Sequence, residues 1–509
     1  MVIEVLNGSG LTQGQIRELT GLHQNRLSDY KRGKHQPTDL TVFAAFADGL
    51  GLPLAARRAL GLDANPAAVA GMGVPQPRAA PFAEISVRFP GTPTQAAGNL
   101  ASLWQADLAD HGGLERDRID PGAWGDASQR WLADPASPVA PERLGGVGVG
   151  MGDVERFRVT VEAFGKLDDR FGGGHARQAV VAYLSSDGDR LLSGRFTEAV
   201  GSALFSSVAE ATLLAAWMSY DSVPRSGLAQ RYFIQALALA QAGGDRLLGA
   251  SILDAMSHQA TYTGRYSEAA NLARAARTGT ATIATPSLRA HFHAMEARAL
   301  ARLGDARGCD RALAEAVREF ERRRPDDDPA WIRYFDEAEL AAEFGHCLRD
   351  LGRAAAAAEY ASRSVETVDG AGFARSDFFV TMVLADAYLA AGELEQGCAT
   401  ALVALRAGEL IRSARCVRYL RDFGQHLARA ADATVVTDFG EQARESRLWQ
   451  IASRSDKAAA QYGRQSLRLA PVRRAAMRLA ASAAACPDSG AFWITQVTIK
   501  NSRTARMIG

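Results

Sequence analysis

The stretch RALARLGDARGCDRALAEA, residues 298–316, decides the fold, because two helix-forming segments rich in Ala, Leu and Arg flank a glycine turn. Three further stretches have the same form: QATYTGRYSEAANLARAA (259–276), HCLRDLGRAAAAAEYASRS (346–364) and AYLAAGELEQGCATALVAL (387–405). Their turn glycines are Gly264, Gly304, Gly352 and Gly392. A small residue follows each glycine by five positions, in order Ala269, Cys309, Ala357 and Gly397. We therefore predict four helical hairpins whose helices approach closely at that small residue.

Such hairpins are typical of tetratricopeptide-type repeats, in which successive pairs stack into an α-solenoid. The turn glycines are 40, 48 and 40 residues apart, compared with roughly 34 in the consensus repeat, so we expect longer helices or larger loops. Further pairs are predicted before this set, at 203–220 and 226–241, and after it, at 413–431 and 435–449. The predicted fold class is all-α, with the first helices lining an inner face that suits a peptide or another elongated partner.

The composition is that of an ordinary globular protein, with 47% apolar and 23% charged residues and a net charge of +1. The whole chain therefore has no strong field for nucleic acid or membrane, and any basic surface is local. The five cysteines are widely spaced and form no metal-type motif, which predicts reduced, mostly buried thiols. We find no secretion signal and no run of 18 apolar residues, and we expect a cytoplasmic protein.

The sequence predicts five regions along the chain. Residues 1–62 form a compact helical DNA-binding domain, and 63–98 form a linker rich in Ala, Pro and Gly. A helical connecting region at 99–152 is expected to pack through Leu103, Trp104, Leu108, Trp124 and Trp131. The repeat array covers 153–455, and a basic, poorly ordered tail covers 456–509.

The stretch LTQGQIRELTGLHQNRLSDYKRGKHQ, residues 11–36, predicts a helix-turn-helix. Ile16 and Leu19 give the first helix an apolar stripe, and Gly21 supplies the turn. The second helix then exposes polar side chains that are suited to base edges and phosphates, namely Gln24, Asn25, Ser28 and Lys31. This stretch contains five basic residues, Arg26 among them, and only two acidic ones, so the motif is basic although the whole protein is nearly neutral.

The pattern LTQxxIxxLTGLxQxRLSxYKRGKxxP resembles the XRE-type, or phage-repressor-like, helix-turn-helix. The resemblance implies that Gln13 binds phosphate, that Gln24, Asn25 and Ser28 reach bases, and that Arg32 and Lys34 hold the DNA backbone. The following PTDLTVFAAFADGLGLP resembles the fourth and fifth helices of such domains. Only residues 1–6 remain for a first helix that is normally longer.

The order of XRE-type domain, linker and repeat array resembles actinobacterial regulators with tetratricopeptide-like sensor domains, and more distantly the peptide-sensing regulators of Firmicutes. The resemblance implies a homodimer, with an effector that is a peptide, a small molecule or a protein. The Firmicutes regulators typically grip the peptide backbone with asparagines, whereas the array here contains Asn271 alone. The candidate effector-binding residues are Tyr334, Glu337, His291 and Asn271.

No metal or cofactor is expected, because the array histidines His258, His291, His293 and His346 form no i, i+4 pair with a carboxylate ligand set. These histidines are predicted to be hydrogen-bonded structural residues. We find no nucleophile elbow, phosphate loop or convergent acid pair, so an enzyme is not expected. The predicted function is a DNA-binding transcriptional regulator, and the alternative is a protein-protein interaction adaptor without operator-specific regulation.

Overall fold

The computed structural model describes residues 86–109, 119–133, 146–222, 226–367 and 374–453. The predicted DNA-binding domain, most of the predicted linker and the predicted basic tail lie outside these ranges, as does Cys486. The chain divides into two units, Met1–Ala79 and Ala80–Gly509, and all described residues belong to the second.

Seventeen α-helices account for most of the described residues, which contain no strand beyond one isolated bridge between Gly148 and Arg195. The prediction of an all-α fold is therefore confirmed. In chain order the helices are α1 Pro93–Ala109, α2 Pro121–Ala133, α3 Met151–Phe171, α4 Gly173–Tyr183, α5 Asp189–Leu192, α6 Glu198–Ser222, α7 Ser226–Ala242, α8 Arg246–Tyr262, α9 Tyr266–Gly279, α10 Pro286–Leu303, α11 Ala306–Phe320, α12 Glu337–Asp350, α13 Ala354–Thr367, α14 Ala374–Ala391, α15 Leu394–Ala407, α16 Ala414–Leu427 and α17 Thr434–Ala443.

The four predicted hairpins are α8/α9, α10/α11, α12/α13 and α14/α15. Each predicted turn glycine has a left-handed backbone, with φ between 73° and 87°. The residue after each glycine donates its N–H to the carbonyl oxygen five residues earlier, as in Arg265 N to Ala260 O at 2.8 Å. This hydrogen bond is the one that defines the Schellman motif at the end of a helix. A side chain is strained at such φ, so glycine determines where each hairpin turns.

The small residues on the second helices are buried, as predicted. Ala269, Cys309 and Ala357 have no exposed surface. At Gly397 an added Cβ would lie 2.8 Å from Leu389 Cδ2 and 3.2 Å from Ala385 O. The paired helices thus approach too closely for a larger residue at that point.

Successive first helices also pack on one another, in the order α8, α10, α12, α14 and α16. The first helices therefore form an inner layer, and the second helices lie outside it, as in other arrays of stacked helix pairs. Two large apolar clusters form the core, one between Phe89 and Leu340 and the other between Phe378 and Ala452.

The last helices return to the first ones, so the array closes on itself. Arg412 N donates to Phe171 O at 2.8 Å, and Gly174 N donates to Arg412 O at 3.0 Å. Arg415 and Ser413, at the start of α16, bind Asp221 at the end of α6. The sequence predicted stacked pairs, and this closure is an additional feature of the structure.

The region before the array differs in part from the prediction. Trp104, Trp124 and Trp131 are fully buried, as expected, whereas Leu108 is 46% exposed, so its predicted packing role is wrong. Helix α1 begins at Pro93, inside the predicted linker, and Phe89 is buried before it. The Ala-rich composition of 93–98 is typical of a linker, but Ala96 and Ala97 pack in the core instead.

Helix α6 is, within the described part of the chain, the one helix that is long and apolar enough to cross a membrane. In the structure 56% of its most apolar window is buried, and it packs against α4 and α7. Core helices of globular domains have the same composition.

Candidate functional site

A polar cavity of about 350 Å³ lies on the inner layer of first helices. Helix α8 contributes His258, Thr261 and Tyr262, α10 contributes Arg298 and Arg302, α12 contributes Arg349 and Asp350, α14 contributes Asp386, and α16 contributes Arg415, Arg418, Tyr419, Asp422, Gln425 and His426. Each of these helices is the first member of its pair, and the first helices form the inner layer of the array.

Three arginines form the floor of the cavity. Arg415 has 8% of its side chain exposed, and its Nε donates to Asp221 Oδ1 at 2.7 Å. Arg298 Nη1 lies 3.1 Å from Glu343 Oε2, and Arg349 Nη2 lies 2.8 Å from Asp350 Oδ1. The carboxylates of Asp221 and Glu343 are behind the lining, so they fix the guanidinium groups without filling the space in front.

Aromatic rings complete the support of the floor. The guanidinium of Arg415 lies 4.6 Å from the ring centroid of Phe379 and 4.8 Å from that of Tyr220. Arg349 lies 5.5 Å from the ring centroid of Tyr419. Cation-π contacts hold these charges in a setting from which water is largely removed.

The rim is more exposed. Arg302 Nη2 donates to Tyr266 Oη at 3.0 Å, and its side chain is 38% exposed. Arg418 Nη1 donates to Tyr262 O at 3.1 Å, lies 4.5 Å from the Tyr262 ring centroid, and is 41% exposed. These two arginines are therefore accessible from outside the cavity.

The electrostatics of the cavity favour anions. Burial and the nearby guanidinium groups, first Arg298, lower the pKa of His258 well below its usual value, so this histidine is neutral at neutral pH. The lining then carries five arginines and three aspartates, an excess of two positive charges when His426 is left out. Asp221 and Glu343, which are not part of the lining, pair with Arg415 and Arg298, so the surface that lines the cavity keeps its positive excess.

One hydroxyl group of the lining lacks a partner. Thr261 Oγ1 is buried and has no hydrogen-bond partner among the described residues. Buried polar atoms are nearly always hydrogen-bonded, to protein, water or ligand.

The four candidate effector residues lie elsewhere. His291 Nδ1 is 2.9 Å from Asp254 Oδ2, and its Nε2 is 3.3 Å from Tyr334 Oη, so these two candidates meet. Glu337 is exposed and paired with Arg363, while Asn271 is exposed on the second helix α9. None of the four belongs to the lining of the cavity described above.

The array histidines have the structural roles that the sequence predicts, with one exception. His258 Nδ1 lies 3.0 Å from Tyr220 Oη, and His346 Nδ1 lies 3.5 Å from Tyr419 Oη. The prediction is wrong for His293, whose Nδ1 is buried without a hydrogen-bond partner in the described ranges. The described cysteines, Cys309, Cys347, Cys398 and Cys416, are buried free thiols, as expected.

Sequence reasoning missed the arginines of the cavity, although a signal exists. Six residues before the turn glycines Gly264, Gly304, Gly352 and Gly392 stand His258, Arg298, His346 and Asp386. Three of these four line the cavity, and the fourth, His346, is bonded to the lining residue Tyr419. Aligning the repeats on their glycines would have shown a charged or imidazole side chain at one fixed inner position.

The predicted DNA-contacting residues Gln13, Gln24, Asn25, Arg26, Ser28, Lys31, Arg32 and Lys34 lie outside the described residues. All eight fall within residues 7–60, which match the family model of a helix-turn-helix domain. No curated protein matches the chain. The N-terminal region is therefore similar to helix-turn-helix domains, and this similarity supports a DNA-binding regulator.

Proposed function

We propose that the protein is a cytoplasmic, sequence-specific transcriptional regulator with an XRE-type helix-turn-helix. The observation that carries this proposal is the helix-turn-helix match over residues 7–60. The polar face of the second predicted helix supports it, because Gln24 and Asn25 are able to pair bidentately with adenine. The local excess of basic residues would bind phosphates in a chain whose net charge is only +1.

The helical array is proposed to act as the effector-binding and dimerisation domain, of tetratricopeptide-like type. Hairpins stacked with their first helices inside, and a polar cavity on that inner layer, support an effector site. In a homodimer, two helix-turn-helix domains would meet half-sites about one helical turn, or roughly 34–36 Å, apart. An effector that binds one arrangement of the array more tightly than another would change the affinity for the operator, and the change cannot exceed the difference between its two binding free energies.

The proposal is tested by selecting bound sequences from a random duplex pool with the full-length protein and then measuring affinity by gel shift. Gln24→Ala and Asn25→Ala should weaken binding to the selected site by about 1–3 kcal/mol each, or roughly 5- to 150-fold. Affinity for a scrambled duplex should stay unchanged, because phosphate contacts remain. Gln76→Ala in the predicted linker is the matched control and should bind like the unaltered protein.

Two outcomes would contradict the proposal. A selected pool without a common sequence, or equal affinities of Gln24→Ala and Gln76→Ala for the selected site, would remove sequence-specific reading. The adaptor function would then account better for the array, since stacked hairpins bind proteins without any DNA contact.

A further inference from the structure

We propose that the cavity lined by α8, α10, α12, α14 and α16 binds one small organic anion carrying phosphate or carboxylate groups. This inference deepens the proposed function, on which it rests only for its effect on DNA binding. The observations that carry it are the five arginines of the lining and the carboxylates of Asp221 and Glu343, which fix Arg415 and Arg298 without belonging to the lining.

The floor arginines keep donors for a ligand. Within the described residues, the hydrogen bonds of Arg298 use Nη1 alone and those of Arg415 use Nε alone. A guanidinium has five N–H donors in a planar fork that matches the oxygens of carboxylate and phosphate. Two fixed forks on facing helices, α10 and α16, are therefore ready to bind anionic oxygens.

The burial of the floor arginines costs free energy unless partners compensate for it. Burying guanidinium groups is unfavourable unless counter-charges and hydrogen bonds compensate for lost water. Glu343 compensates Arg298 and Asp221 compensates Arg415, and neither carboxylate belongs to the cavity lining. An anion in the cavity would complete the shell of these arginines on the opposite side.

The size of the cavity selects the class of ligand. A volume of about 350 Å³ is at the small end of the range of pockets for small molecules and cofactors. An extended peptide would need an open groove along several pairs, whereas the array closes through Asp221 and α16. A compact multivalent anion matches this volume better than an extended chain does.

The position of the cavity also predicts what the ligand does. Its rim joins Arg302, on α10 in the middle of the array, to Arg418 on the returning helix α16. An anion that binds both arginines holds the array in its closed form. In the proposed regulator, this ligand would favour one arrangement of the two DNA-binding domains.

Binding is tested on the full-length protein by calorimetry and by the shift of its melting temperature at physiological salt, which screens loose surface contacts. The probes are AMP and citrate, which separate phosphate from carboxylate, and adenosine as the uncharged counterpart of AMP. The variant is Arg418→Gln, and Arg353→Gln is the matched control. Both side chains are exposed to a similar degree, 41% and 40%, but Arg353 pairs with Asp310 on the second helix α11, away from the cavity.

We expect AMP or citrate, but not adenosine, to bind the wild type, and Arg418→Gln to weaken that binding about tenfold or more. Arg353→Gln should bind like the wild type. Equal melting temperatures of the ligand-free proteins establish that Arg418→Gln is folded; if they differ, Arg302→Gln replaces it. The inference is overturned if neither anion binds at millimolar concentration, if adenosine binds as well as AMP, or if Arg353→Gln weakens binding equally.

A separate gel shift distinguishes this inference from the proposed function. The binding anion should change the affinity for the selected DNA site in the wild type and much less in Arg418→Gln. Binding of the anion to a protein without sequence-specific DNA binding would preserve the cavity assignment and refute the regulator. Specific DNA binding without any anion binding would preserve the regulator and refute the cavity assignment.

Discussion

Replacement of Asp221 by asparagine removes the charge that closes the array. Asp221 is fully buried, and its carboxylate accepts from Ser413 Oγ at 2.7 Å, Arg415 Nε at 2.7 Å and Gly173 N at 3.1 Å. Arg375 Nη1 lies 3.3 Å from it. The Asp221→Asn substitution keeps the shape of the side chain, so its effect is electrostatic and not one of packing.

The expected loss follows from two lines of reasoning. Burial by itself would raise the pKa of Asp221, but Arg415, Arg375 and the Ser413 hydroxyl lower it to about 2 from the usual 3.8. A shift of that size corresponds to about 2 kcal/mol of folding free energy. Removal of one partner from a buried ion pair costs about 3–5 kcal/mol, and we expect about 3 kcal/mol because Arg375 keeps Asp168 at 2.9 Å.

The assay is urea unfolding of the full-length protein, followed by tryptophan fluorescence, since Trp104, Trp124 and Trp131 are buried in the first core cluster, which they share with the array. Asp310→Asn is the control, because Asp310 pairs with Arg353 on the surface at 2.6 Å. Such exposed pairs contribute at most about 1 kcal/mol. Equal free energies of unfolding for the two variants would refute the stabilising role of the Asp221 cluster.

The pH dependence gives the second readout. The folded pKa of Asp221 is below that of the unfolded chain, so its contribution is complete above about pH 4 and is lost as the pH falls towards 2. The difference between the wild type and Asp221→Asn should therefore shrink over that interval. A difference that stays constant down to pH 2 would show that the ionised carboxylate is not the stabilising group.

The remaining predictions concern packing and a second titration. Gly397→Val should lower the free energy of unfolding by about 1–3 kcal/mol, because the new side chain would overlap Leu389. Gly440→Ala should raise the free energy of unfolding by about 0.5–1 kcal/mol, because an added Cβ meets open space there. Equal melting temperatures of the two variants would contradict both expectations. Burial, with Glu343 next in effect, raises the pKa of Glu339 to about 7, so stability should fall as pH rises from about 4.5 towards 7. Glu339→Gln should abolish that part of the decline in urea titrations at pH 5 and 8, and an unchanged decline would refute it.

Local patterns predicted the hairpins because a Schellman turn needs residues that are adjacent in sequence. Gly264 and its three counterparts are visible as glycines between helix-forming segments, and the small residue five positions later reports the packing distance. A further left-handed turn, at Gly244, joins α7 to α8 between two pairs, and it has the same small residue five positions later, Gly249. Trp104, Trp124 and Trp131 were predicted in the core on the size of their apolar surface.

The cavity was not predicted, because its residues come from five helices that span 169 positions, from His258 to His426. In the sequence, the pattern around Arg298 and Arg302 indicates charged residues on the solvated face of a helix. Their common inner face depends on how each pair rotates on the next, which single helices do not specify. The predicted candidates Glu337 and Asn271 failed to converge for the same reason.

The sequence by itself determined the helical class, the position of each hairpin turn and the similarity to helix-turn-helix domains, because each depends on periodicity or spacing within a few dozen residues. Only the tertiary structure decided that α16 returns to α6 through Asp221 and that arginines from separate repeats face one cavity. Long-range ion pairs and the curvature of stacked pairs fix those features, and both involve residues that are far apart in the chain.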